Sequence, residues 1–393
     1  MLPPVLISSD SHVIEPADLW TTRGAKPWRD RAPRIVSETN GDWWYVDGQR
    51  LFSVTGGTET GKRFQGNEKL RVQSRMAEVI AGAWDPAAKL KDMDADGVWG
   101  ELVYPTTATT FWWLPDTDYA YAMMRCYNDW VAEFAAAQPK RIKALGLVTL
   151  DDIPRGIKEL EHCAAIGLAG AMISVYPGAA RHYALPLYEP FWAAAQDLGM
   201  TLNLHTGSQR LPRAERKSSD PGNAALSPFQ LPSSYCTTNY WVQLSLADII
   251  FSGVFERYPK LKVVSVEFEA AWAAHFIHTM DYTYTQRIRR ADWPRFQSSA
   301  LPSDFFRRNV SVSFQEDALA VRMRRDIGVD TLTWGTDYPH AESTFPHSRK
   351  IVARLFKDVP DAEQQKMLCT NAARLYGFRL PKPGRGSDAL RSP

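Results

Sequence analysis

The chain has 393 residues, 45% hydrophobic and 23% charged, with 46 basic against 44 acidic side chains and a formal net charge of +2. That length fits two or three average domains or one large barrel and buries a core without covalent staples; the interspersed charge excludes the clustered basic face that nucleic acid requires. No stretch approaches the roughly 20 apolar residues of a membrane span, and the start, Met1-Leu2-Pro3-Pro4-Val5, lacks a signal-peptide pattern. Cys126, Cys163, Cys236 and Cys369 form no CxxC pair, so we expect a cytoplasmic protein with reduced thiols.

In chain order, the first strand candidate covers 5–12 and ends in Asp10-Ser11-His12. Residues 21–74 follow, where strand-like pieces at 34–36, 43–46 and 50–54 flank Asn40-Gly41 and Asp47-Gly48, the pattern of a small β meander. Further strands are expected at 98–105, 144–150, 170–177, 201–206, 262–268, 310–314 and 331–337, with helical periodicity at 120–138, 155–166, 187–198 and 244–258. Eight strands alternating with helices predict a parallel sheet, doubly wound or closed. No GxGxxG or GxxxxGK[ST] follows the first strand, which favours a (β/α)8 TIM barrel, one domain over 1–380. The Ser, Pro, Gly and Arg-rich stretch 207–240 reads as a lid or an arm onto a partner, and 381–393 as a flexible tail. Tryptophans in loop-like segments, Trp43-Trp44 and Trp112-Trp113, are read as packing residues.

A barrel gathers its chemistry at the C-terminal strand ends. Here strand one ends in Asp10 and His12, strand five in His205, strand six in Glu267, and strand eight in Asp337 followed by His340. Asp10 and His12 are two apart and so share a strand face; with further His and carboxylate groups they make a mixed N/O metal site. His205 closes an apolar strand where Val or Leu would bury better. Each also has a structural reading: Asp10 or Asp337 as a helix cap, His205 as a satisfied core histidine, His340 as a surface loop residue. Glu267 and Glu269 share a face, and Glu267 is preferred because it directly follows the apolar run. His275 follows closely enough to reach a metal, whereas His278 is expected to pack.

These residues, with Ser9–Pro16 (SDSHVIEP), Leu90–Gly97 (LKDMDADG), Asn203–Gly207 (NLHTG), Phe255–Val264 (FERYPKLKVV), Gly335–His340 (GTDYPH) and Asn371–Gly377 (NAARLYG), resemble the amidohydrolase superfamily, in its amidohydrolase-2 branch of metal-dependent hydrolases and decarboxylases. The resemblance covers about residues 5 to 378 and implies that Asp10, His12, His205 and Asp337 are metal ligands, with Asp337 also handling a proton. Three departures stand out. Aspartate replaces the first histidine of the usual HxH, strand four (Gly170-Ala171-Met172-Ile173-Ser174-Val175) offers no lysine to carbamylate, and Glu267 replaces the strand-six histidine. Six candidates, Asp10, His12, His205, Glu267, His275 and Asp337, exceed the needs of one zinc and suggest a divalent Zn, Fe or Mn site with as many as two ions; Glu15, in the opening motif, is a secondary candidate.

The expected function is a metal-dependent hydrolase acting on a small organic substrate through a metal-activated water, with Asp337 and His340 catalytic. The alternatives are non-oxidative decarboxylation of a small aromatic acid, or oxygenation at a dinuclear iron or manganese site as in the aminoisobutyrate hydroxylase type. Arg210, Arg213 and Arg216 could bind an anionic substrate, and the aromatic loop 106–115 suggests a ring-bearing one. The partners expected are a small molecule and further subunits, identical or related, with neither nucleic acid nor membrane.

Overall fold

Eight short runs rich in β-branched and apolar residues become parallel strands buried on both faces, as helix-covered strands must be. In the computed structural model, which describes residues 2–210 and 232–381, the barrel strands are β1 (Ile7–His12), β5 (Gly100–Tyr104), β6 (Ile142–Ala144) with its continuation β7 (Gly146–Leu147), β8 (Gly170–Ile173), β9 (Thr201–His205), β10 (Val263–Val266), β11 (Val310–Phe314) and β12 (Leu332–Trp334). Between β1 and β5 lie β2 (Arg34–Glu38), β3 (Gly41–Val46) and β4 (Gln49–Ser53), the antiparallel meander.

One run of parallel pairs joins β1, β5 and β6; a second joins β7 through β12 in chain order. Only Leu145 separates β6 from β7, so the two runs are one ring interrupted at that point. The ring closes between β12 and β1, where Thr336 and Asp337 donate backbone N–H bonds to the Asp10 carbonyl at 3.0 and 2.9 Å, and His12 N–H donates to Tyr338 O at 2.5 Å. The fold is a (β/α)8 barrel.

Two expectations shift. The third strand begins two residues earlier than 144–150, and Asp152 then caps the helix Ile153–Ala165 by accepting from Arg155 N–H. The helix expected over 244–258 is two helices, Asn239–Phe251 and Val254–Arg257, divided by Gly253 at φ +76°, a left-handed position that ends a helix. The meander's second turn is as the sequence implies: Asp47 and Gly48 both take positive φ, the requirement of a two-residue hairpin loop. Trp44 on β3 packs edge-on against Trp20, which in turn packs edge-on against Phe111. This buried aromatic group, not a loose linker, docks the meander onto the barrel near the mouth.

Candidate metal centre

β1 delivers Asp10 and His12 to the top of the barrel on one strand face. The His12 ring donates Nδ1–H to Pro105 O at 2.9 Å, and His205 at the end of β9 does the same to Thr206 O, also at 2.9 Å. A carbonyl only accepts, so each bond fixes the proton on Nδ1 and turns Nε2 inward. His12 Nε2 lies 3.6 Å from Asp10 Oδ1 and 3.5 Å from Asp337 Oδ1. His205 Nε2 lies 3.8 Å from Asp10 Oδ1 and 3.1 Å from Glu267 Oε2. The ring of Tyr104 forms the floor, 4.9 Å from His205 and 5.9 Å from His12, with its hydroxyl held by Asn203 Oδ1 at 2.9 Å.

Asp10 Oδ1, His12 Nε2 and His205 Nε2 are buried and lack a hydrogen-bond partner. An unsatisfied buried polar atom costs about 1–3 kcal/mol, and here three converge within ligand distance of one another. Two imidazole nitrogens and two or more carboxylate oxygens suit a divalent ion of borderline character. The residues fit a metal.

Local backbone strain points to the same place. Glu267 and Asp337 take left-handed conformations, φ +63° and +57°, as do Glu269 and Asp47 and no other non-glycine among the described residues. Such conformations are disfavoured for residues with a Cβ and gather at functional sites. They also show why strand alternation could not separate Glu267 from Glu269: β10 stops at Val266, and both lie beyond it. Glu267 turns into the cluster, whereas Glu269 accepts from the backbone N–H of Gln315 at 3.0 Å.

The electrostatics are those of a crowded, desolvated site. Burial, with His340 and His205 nearby, holds the His12 imidazole well below its usual range, so it is neutral. Burial is opposed at His205 by the Glu267 and Asp10 carboxylates, which push it up to about 9. Burial and then Asp337 push Glu267 up to about 8, and burial raises Asp337. His340 donates Nδ1–H to Asp337 Oδ1 at 2.8 Å, lies 3.3 Å from Thr106 Oγ1 through Nε2, and is pushed up to about 9, the carboxylate outweighing burial.

Asp10, His12, His205, Glu267, Asp337 and His340 are therefore brought together; two expected residues are not. His275 projects from the helix Trp272–Gln286 into solvent, with Thr279 its hydrogen-bond neighbour at 3.5 Å. Its proximity to β10 in sequence is undone by the turn that starts this helix. Glu15 is wholly buried but faces away from the cluster, accepting from Thr107 and Ala108 N–H, both at 2.9 Å. It anchors the 3₁₀ segment Thr107–Trp113, whose Phe111 and Trp112 belong to the core. Arg210 is engaged by Asp151 and by the Trp112 carbonyl; Arg213 and Arg216, with most of the 207–240 stretch, lie outside the described residues. Sequence reasoning overlooked Thr106 and Tyr104, neutral residues that carry no recognisable spacing signal.

The family model described as amidohydrolase matches residues 83–378. The chain belongs to the amidohydrolase family. It is 24% identical over 307 residues to a gamma-resorcylate decarboxylase from Rhizobium sp., covering 73% of this chain and 86% of that protein. In structure it is similar to an amidohydrolase from Mycobacterium avium subsp. paratuberculosis K-10, with TM-score 0.76, 21% identity and coverage of 96% and 100%. It is also similar to 5-carboxyvanillate decarboxylase from Novosphingobium aromaticivorans in complex with manganese and 4-hydroxy-3-methoxy-5-nitrobenzoic acid, with TM-score 0.66, 18% identity and coverage of 95% and 96%. The two solved structures share their fold with this chain. No helix among the described residues is long and apolar enough to cross a membrane.

Proposed function

We propose that this chain is a metal-dependent decarboxylase of a small aromatic carboxylic acid, with one divalent ion held by Asp10, His12, His205 and Asp337. The observation that carries the metal reading is the convergence of three buried atoms that make no hydrogen bond, Asp10 Oδ1, His12 Nε2 and His205 Nε2. The choice of reaction is supported by relatives that are decarboxylases of ring-bearing acids, and it replaces hydrolysis as the leading expectation. A bound divalent ion supplies Lewis-acid polarisation of substrate oxygens.

Decarboxylation breaks the bond between ring carbon and carboxylate, releases carbon dioxide and requires a proton on the ring carbon. Asp337 is the group we assign to hold and deliver that proton, with its carboxyl group positioned by the Nδ1–H of His340. Thr106 orients His340 from the other side. Hydrolysis stays as the second reading on one observation. The Glu267 side chain is 31% exposed at the mouth, where a third carboxyl group beside Asp10 and Asp337 opposes an incoming carboxylate unless it is protonated. Oxygenation at two ions loses its support with His275 outside the cluster.

Manganese-loaded protein incubated with a panel of hydroxybenzoates should release carbon dioxide, and Asp337→Asn should abolish the release. Ester or lactone cleavage with no carbon dioxide from any acid would instead establish hydrolysis.

A further inference from the structure

A second polar assembly lies beside the cluster, and the chemistry above does not use it. Lys89, on the helix Pro86–Asp96, is wholly buried, with Nζ 2.8 Å from Glu101 Oε2 on β5. The ammonium also donates to Ser11 Oγ at 3.1 Å and lies 3.4 Å from His12 O. Ser11 Oγ donates to Glu101 Oε2 at 2.7 Å, with Tyr338 O 3.1 Å away as its other acceptor. The Lys89 ammonium sits 4.4 Å from the centre of the Tyr338 ring, whose hydroxyl donates to Asp92 at 2.5 Å. A Cβ on Gly82 would fall 2.1 Å from Asp92 Oδ2 and 2.2 Å from Tyr338 Oη, so that bond is made in space only a glycine leaves open.

The assembly touches the chain at two places that matter. Ser11 stands between Asp10 and His12, and Tyr338 directly follows Asp337. These are the two segments that must converge on one ion. Fully buried lysines are rare, and a buried ion pair is seldom more stabilising than apolar residues of the same volume. Its chemistry therefore points to geometry, not to stability.

We propose that Lys89 and Glu101 are positioning residues: by clamping Ser11 and Tyr338 they set the spacing of Asp10 and His12 from Asp337, and so the affinity of the site for its ion. This rests on the metal-site reading above.

The test uses the full chain and Mn(II), with affinity from chelator competition, the spectrum of bound Mn(II) from electron paramagnetic resonance, and the thermal midpoint from circular dichroism. Lys89→Met alone strands a buried carboxylate and threatens folding, so the informative variants are Lys89→Met with Glu101→Leu, and Ser11→Ala, which leaves the ion pair intact. We expect the double variant to keep its midpoint within about 3 °C while Mn(II) affinity falls about 10–100-fold and the spectrum changes. Ser11→Ala should weaken binding in the same direction, and that result carries the proposal if the double variant fails to fold. Wild-type affinity and spectrum in Ser11→Ala, with the double variant either equally unaffected or merely unfolded, would overturn it. A wild type that binds no Mn(II) overturns the metal-site reading itself.

Discussion

Gly335 shows how little room the cluster has. A Cβ there would fall 2.5 Å from Asp10 Cβ and 3.1 Å from Asp10 N, closer than packed atoms tolerate, so Gly335→Ala must push β1 and its aspartate away. We expect at least a ten-fold loss of metal affinity, comparable to losing a group that orients a ligand, read from metal content after dialysis. His205→Ala should lose the ion outright, whereas His275→Ala, altering only a solvent-facing side chain, should retain it at wild-type stoichiometry. At this scale Asp10, His12, His205 and Asp337 were legible because polar side chains at the ends of apolar strands stand out. Glu267 was legible only by adjacency, since the left-handed turn after Val266 lies outside the two-residue periodicity on which strand reading depends.

Elements are tied together by buried carboxylates that the family motifs contain but whose partners are distant in sequence. Asp96, in the LKDMDADG segment, accepts from Ser348 N–H at 2.8 Å and from the Ser348 hydroxyl, fastening the helix Ser348–Leu355 to the helix Pro86–Asp96. Burial pushes its carboxyl up to about 7, above the 3.8 of an unfolded chain. The folded state therefore binds more protons between those values, and stability falls as pH rises from about 4 to 7 and is level above. The contribution is on the order of 4 kcal/mol. Urea unfolding at pH 5 and pH 8 should show this slope in the wild type and a flatter one in Asp96→Asn; equal slopes would refute the assignment. Glu15→Ala leaves the N–H groups of Thr107 and Ala108 buried without an acceptor, at about 1–3 kcal/mol each. It should lower stability with little effect on Mn(II) affinity, in contrast to the cluster variants. Such links escape sequence reading because a capping carboxylate looks the same whether its partner is three residues or 252 residues away.

Over the whole molecule, the ion and the barrel should stabilise each other. Without it, burial opposes the charge of Glu267 and of Asp337, and each feels the other carboxylates of the cluster. Saturating ion at about a thousand times its dissociation constant adds about 4 kcal/mol, so a chelator should lower the thermal midpoint by about 5–10 °C with unchanged far-ultraviolet circular dichroism. An unchanged midpoint would argue that the site is not loaded. The alternation of strand and helix, the meander and the convergence of chemistry at one barrel face follow from the sequence by itself, because periodicity and strand-end polarity are local properties and the barrel's symmetry converts strand ends into one face. The tertiary structure alone decided which candidates meet. It sent His275 to solvent and Glu15 to a loop anchor, revealed the Lys89–Glu101 clamp, and reduced six candidate ligands to one compact set. Those outcomes depend on where chain segments far apart in sequence come within a few ångströms, and no local pattern encodes that distance.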